Sequence, residues 1–411
     1  MNAVATSGRP PQARLAVSLL FFASGMAFAV WAAELPVIKA RLELSDGACS
    51  VPLFAFAVGA FAAMSFAGYL SARFGARATI RTAGLAFAGL LAAVPAAPGE
   101  LSLVAGAAAM GIAQGVLDVA MNVQATNLDR SSPRPILASI HAFFYVGGLV
   151  GAAMLAGLFA VRYDARIVGA GLAALVAVAI GAASAGPLAE APTSGPRRLF
   201  LFPRRAVLGI GAFVLLAFFV EGAVMDWGTI YVASLAPARS LPALSFAVFA
   251  GAMVAGRLTG DHFTARFGPK AVLRASGLLA ACGLLLAVLT STPIPVLAGF
   301  GIVGLGLANV VPRLFAAAAR IAGSPAATSV AMVSMMGYSG ALGGPPVIGL
   351  IAATIGLPSA LALLSLGAIT IALAGPQSIA AKRDETISLE PNAPRPSDPA
   401  TIHAGPIRRR P

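Results

Sequence analysis

Charge is what this chain has least of. Only 10% of its 411 residues are charged and 15 are acidic, while 58% are apolar; soluble domains carry about 25% charge. So few charges are not enough to cover a globule of this length, which excludes a soluble protein. Cysteine is scarce too, with Cys49 and Cys282 far apart in apolar regions, and the three histidines, His141, His262 and His403, are scattered. That leaves neither a disulfide framework nor a zinc ligand set, and no metal or cofactor is expected. No G-x-x-x-x-G-K-S/T segment occurs, which disfavours an ATP-driven pump. The net charge of +13 does not point to nucleic acid, because the basic residues stand in short segments between apolar runs.

What the sequence does have is apolar runs long enough to cross a bilayer core of about 30 Å. Twelve are legible, at 15–37, 48–71, 79–97, 101–128, 136–160, 166–188, 206–233, 242–264, 271–290, 294–320, 325–354 and 357–380. Backbone groups in hydrocarbon must be satisfied within their own segment, so these runs are expected to be helices and the fold all-α. With the N-terminus inside, the inner segments hold 21 Lys/Arg and the outer loops five, which predicts cytoplasmic termini. The expected organisation is a short cytoplasmic segment (1–14), a six-helix bundle (15–188), an Arg- and Pro-bearing linker (189–205), a second bundle (206–380) and a disordered cytoplasmic tail (381–411).

The two bundles repeat each other. Ala72-Arg73-Phe74-Gly75 after span two recurs as Ala265-Arg266-Phe267-Gly268 after span eight, an offset of 193 residues. At the same offset, Tyr145-x-Gly147-x-Leu149-x-Gly151 in span five matches Tyr338-x-Gly340-x-Leu342-x-Gly344 in span eleven. Parallel repeats of this kind are used by secondary transporters that rock two bundles about a midplane site.

With its six-plus-six layout, long middle loop and Gly68-x-Leu70-x-x-Arg73-x-Gly75-x-Arg77 segment, the chain resembles the major facilitator superfamily over about 370 of its 411 residues. Ala72 stands where that family's loop motif carries an aspartate. Asp118-Val119-Ala120-Met121-Asn122, His141-Ala142 with Gly147-Gly148, and Glu221-Gly222-Ala223 with Asp226-Trp227 are similar to a bacterial inner-membrane branch near the fucose permeases. The resemblance implies a central cavity lined by the first, fourth, seventh and tenth helices. In the fucose permeases the first and fourth helices carry coupling carboxyl groups, which draws attention to Glu34 and Asp118. Span five lacks the Gly-Pro pattern of the antiporter branches, which counts against drug efflux.

Ionised groups at mid-membrane are costly and ask for a reason. Glu221 is central in span seven, and Asp118 lies about 6 Å inside the midpoint of span four. Gln114, Asp118 and Asn122 share one helix face. Asp118, Glu221, Glu34 and Asp226 are therefore the proton-coupling candidates, against the alternative of carboxyl groups fixed to a neighbouring helix as structural glue. Gln114, Asn122, Asn309, Arg313, Trp31 and Trp227 are the substrate-binding candidates. Arg313 is open to pairing with Asp118 or Glu221, to substrate contact, or to snorkelling; the tryptophans are open to an interfacial belt or to stacking on a solute. His141 is expected in a packing or gate contact. Arg73, Gly75 and Arg77, with Gly147, Gly148, Gly340 and Gly344, are the candidates for gating and bending.

The expected function is proton-coupled transport of a small polar solute, sugar-like in character, by a monomer in the bacterial inner membrane. Uptake is favoured over export of a drug or metabolite. A non-transporting receptor or scaffold is the rival of a different class. Gly337-Tyr338-Ser339-Gly340 is similar to a rhomboid-protease nucleophile segment, but the only later histidine is His403 in the tail, so no enzyme is expected.

Overall fold

A computed structural model of the protein describes residues 10–132, 136–188, 205–235, 238–321 and 326–379. Residues 1–9, the tail 381–411 and all of the linker except Arg205 lie outside the described residues. The first half holds α1 (Pro10–Arg41), α2 (Asp46–Phe74), α3 (Ala76–Ala93), α4 (Glu100–Arg130), α5 (Leu137–Ala160) and α6 (Ala165–Ala185). The second holds α7 (Arg205–Leu235), α8 (Ser240–Phe267), α9 (Pro269–Leu289), α10 (Pro293–Leu307), α11 (Val310–Ala318), α12 (Ala326–Ile355) and α13 (Leu357–Ser378). Among the described residues, twelve spans are long and apolar enough to cross a membrane, with α10 and α11 sharing the tenth. Large apolar side chains such as Leu101, Leu258 and Ile294 point outward, the arrangement expected of helices solvated by lipid.

The helix ends follow local chemistry. Ser45 caps α2 by accepting the Ala48 N–H at 3.1 Å, and Asp164 caps α6 by accepting the Arg166 N–H at 2.9 Å. Gly75 and Gly268, the repeated loop glycines, both turn the chain at positive φ (84° and 80°), a conformation that penalises any side chain. The tenth span was expected to be continuous, and it breaks at Ala308–Asn309. Pro312 has no N–H to offer the Ala308 carbonyl and its ring crowds that oxygen, so the helix restarts at Val310.

The 193-residue repeat extends to individual contacts. A Cβ on Gly147 would lie 1.9 Å from the Phe22 carbonyl oxygen, and one on Gly340 would lie 2.0 Å from that of Leu215, the residue equivalent to Phe22. Gly151 meets Met26 as Gly344 meets Phe219, again equivalent pairs. These glycines let the backbones of α5 and α1, and of α12 and α7, approach closely, as small residues do between membrane helices. Gly111 on Phe56 and Gly304 on Phe249 repeat the pattern for α4 on α2 and for α10 on α8. Between halves, α5 packs on α8 and α2 on α12. These seams bring the polar residues of the two halves together.

Candidate functional site

The repeated tyrosines meet the carboxyl groups. Tyr145, buried on α5, donates its hydroxyl hydrogen to Glu221 Oε1 on α7 at 2.5 Å. The Tyr145 hydroxyl oxygen in turn accepts from Arg257 Nη2 on α8 at 3.2 Å, and the Arg257 guanidinium carbon lies 4.4 Å from the centre of the Tyr145 ring. A side chain of the first half thus joins an acid and a base of the second.

Tyr338 does the converse. From α12 it faces the Asp118 carboxyl group on α4 and accepts from Asn122 Nδ2 at 3.2 Å. Asn122 Nδ2 also donates to the Asp118 carbonyl at 2.9 Å, while its Oδ1 lies 3.0 Å from His141 Nε2. His141 Nδ1 faces the Leu137 carbonyl at 2.8 Å, and Phe21 of α1 covers the ring at a centroid distance of 4.7 Å. A neutral imidazole has one N–H for these two acceptors, so the neutral ring makes one bond and the imidazolium makes both. Asp118 Oδ2 is buried without a hydrogen-bond partner.

The tyrosines occupy equivalent positions, and their partners do not. The residues equivalent to Asp118 and Glu221 are Val311 and Phe28, and Met64 corresponds to Arg257. The symmetric scaffold therefore carries asymmetric chemistry. Asp118, Asn122, His141, Arg257 and Tyr338 are half-buried, while Glu221 is buried. Tyr145 and Tyr338 reach from one half to polar groups of the other at this seam.

Other candidates sit elsewhere. Arg313 pairs with neither central acid; its Nη2 lies 2.7 Å from Asp261 Oδ1, joining α11 to α8. Arg313 stands four residues past Asn309, on the restarted helix α11, which turns its side chain toward α8. Asn309 donates to the Gly256 carbonyl at 2.9 Å and ties the break to α8, which occupies its amide. Gln114 shares a face with Asp118 but donates across to Ser24 of α1 at 3.4 Å. Glu34 does not join Asp118. It is buried in a crevice beside Pro95, Arg166 and Gly169, residues of the first half, with Oε1 unpartnered.

Neither tryptophan forms an interfacial belt or faces an opening. Trp31 stacks on Phe56, and Trp227 donates to the Pro345 carbonyl at 2.6 Å; they are 2% and 0% exposed. Near Trp227, Thr229 donates to the Ala32 carbonyl of the other half at 2.7 Å. Asp226, one residue before Trp227, is half-buried. In the first loop motif Arg77 donates to the Gly186 carbonyl at 3.1 Å, and Arg73 lies over Phe74. Gly148 meets Phe246 of α8 and is the bundle-to-bundle member of the glycine set. A second crevice, of about 110 Å³, is apolar and lies among Leu216, Phe219, Ile348 and Leu363, away from the polar centre.

No family model matches the chain. It is 33% identical over 362 residues to an uncharacterized MFS-type transporter of Yersinia pestis, covering 87% of this chain and 94% of that protein. It is also 33% identical over 365 residues to the membrane protein MosC of Rhizobium meliloti, covering 87% and 88% of the two chains. Among solved structures, the nucleoside transporter NupG aligns with a TM-score of 0.65 at 13% identity, over 90% of this chain and 100% of that one. A bacterial homologue of the human lysosomal transporter Spinster, inward-facing and occupied, aligns with a TM-score of 0.61 at 16% identity, over 91% and 96%. At such identities these two structures speak to the fold alone.

Proposed function

Since the chain belongs to the major facilitator superfamily and is a multi-pass membrane transporter of that type, we propose that it moves a small polar organic solute, sugar-like in character, by proton-coupled alternating access. In this reading it is a monomer of the bacterial inner membrane with both termini cytoplasmic, and it works in the uptake direction. The charge asymmetry of the loops supports the orientation.

One observation carries the coupling. Each of the two central acids meets a tyrosine from the opposite half: Glu221 takes the Tyr145 hydroxyl hydrogen, and Asp118 faces Tyr338. If the halves rock, these contacts must break and re-form. A carboxylate can only accept from the tyrosine, whereas a protonated carboxyl group also needs an acceptor for its own hydrogen. Gaining or losing a proton therefore changes how strongly the halves hold together. A solute bound between them is exposed to one side or the other according to that state.

The test uses the full chain in proteoliposomes. Asp118→Asn and Glu221→Gln are each expected to abolish accumulation driven by a pH gradient while retaining solute counterflow, which needs no net proton movement. Undiminished accumulation in both variants would refute the coupling.

A further inference from the structure

Arg257 is the charged residue the coupling scheme leaves unused, and its surroundings are unusual for an intramembrane arginine. It lies within about 6 Å of the middle of α8, and a cation at that depth is expensive unless it is paired. The chain does pair its other intramembrane arginine, since Arg313 meets Asp261 at 2.7 Å. Arg257 forms no ion pair among the described residues. Its Nη2 donates to the Tyr145 hydroxyl, and its Nε is buried without a partner. Glu221, which would be its natural counter-charge, takes the Tyr145 hydroxyl hydrogen, so the phenol separates the acid from the base.

A guanidinium presents donors in a planar fork that matches the two oxygens of a carboxylate. Here the plane is steadied by the Tyr145 ring at 4.4 Å, and the unfilled Nε belongs to that fork. The group is half-buried where α5 of one half packs on α8 of the other. Across the seam, Asp118 Oδ2 is an unfilled acceptor suited to a hydroxyl or amino donor.

We propose that Arg257 is the residue that recognises the solute's acid group, and that the solute is a small hydroxylated carboxylate, such as a sugar acid, rather than a neutral sugar. This rests on the transport reading above and narrows its substrate class. The bound carboxylate supplies the direct ion pair that Arg257 lacks among the described residues. Each solute then brings in its own negative charge, and a proton carried with it leaves the cycle electrically neutral.

The experiment measures binding, so it does not depend on transport. Melting of the full-length protein in lipid nanodiscs is followed with matched probes: D-gluconate and D-glucuronate against D-glucose, D-mannitol and myo-inositol. At least one acid is expected to raise the melting midpoint, with no rise from the neutral members, because a ligand that binds only the native form stabilises it. Arg257→Gln is expected to weaken that acid's binding at least tenfold, and Arg257→Lys, which keeps charge but loses the fork, by less. If Arg257→Gln does not fold, Arg257→Lys carries the comparison, and a measurable loss of the acid's affinity in it is expected. Equal stabilisation by neutral members, unchanged acid affinity in the arginine variants, or stabilisation by none of the acids overturns the proposal. An acid that binds but is neither accumulated nor exchanged would instead sink the transport reading and leave this one standing. Accumulation of a neutral sugar would do the reverse.

Discussion

The Tyr145 hydroxyl donates one hydrogen bond and accepts another, so one phenol oxygen links Glu221 to Arg257. Removing it strands a buried carboxyl group, at a cost of about 1–3 kcal/mol, beside a half-buried guanidinium that loses its acceptor. Tyr145→Phe is expected to lower the melting midpoint, and Glu221→Gln is expected to cost less in that background than in the wild type, because both changes remove the same bond. Additive midpoint shifts would contradict the bridge. Asp118 and Glu221 could be found in the sequence because a charge inside an apolar run stands out by its cost. Their tyrosine partners could not be, although both lay in the repeat. Position along a helix gives depth, but rotation about the axis decides what a side chain meets, and rotation is set by the packing of the other half. Arg257 was visible as a charge within span eight, yet its partner on α5 was not. Arg313 looked like the better candidate because it stands in the tenth span, which the family resemblance places at the cavity, and α8 supplies Asp261 as its partner instead.

At the scale of the helix, glycine placement determines how closely the spans approach. A Cβ at Gly147 would fall 1.9 Å from a backbone oxygen of α1, whereas one at Gly157 in the same helix meets nothing within 4 Å. Gly147→Ala is therefore expected to destabilise by more than about 2 kcal/mol, since the obstacle is backbone and has no rotamer to change. Gly157→Ala should be neutral or stabilise by about 0.5–1 kcal/mol through helix propensity. Comparison of the two melting midpoints checks this, and equal effects would mean that α5 and α1 are not in such close contact. Helix number, order and approximate limits were legible from apolar run length. The break of the tenth span was not, although Pro312 was in plain view, because proline marks a possible kink and the Asn309–Gly256 bond makes it a fixed one. The burial of Trp31 and Trp227 was equally hidden. Depth alone put them near an interface, whereas Phe56 and the Pro345 carbonyl draw them inside.

At the scale of the molecule, a duplicated scaffold holds unduplicated charges. The repeat gives each half the same helix contacts and the same tyrosine, and the partners across the seam differ: Asp118 and Asn122 on one side, Glu221 and Arg257 on the other. The proposed proton coupling and the proposed solute contact both draw on this asymmetry. The membership of the major facilitator superfamily was legible from the repeat and the loop motif, and the relatives at 33% identity agree with it. The central claim is that protonation of the buried acids shifts the balance between two arrangements of the halves. It is tested most directly by electron–electron resonance distances between spin labels on Arg81→Cys and Arg274→Cys. These are exposed, equivalent positions, one in each half, and Cys49 and Cys282 are replaced. Two distance populations are expected, with a ratio that changes with pH in the wild type and is fixed by Glu221→Gln; a single distance, unmoved by pH or by that substitution, would contradict the account.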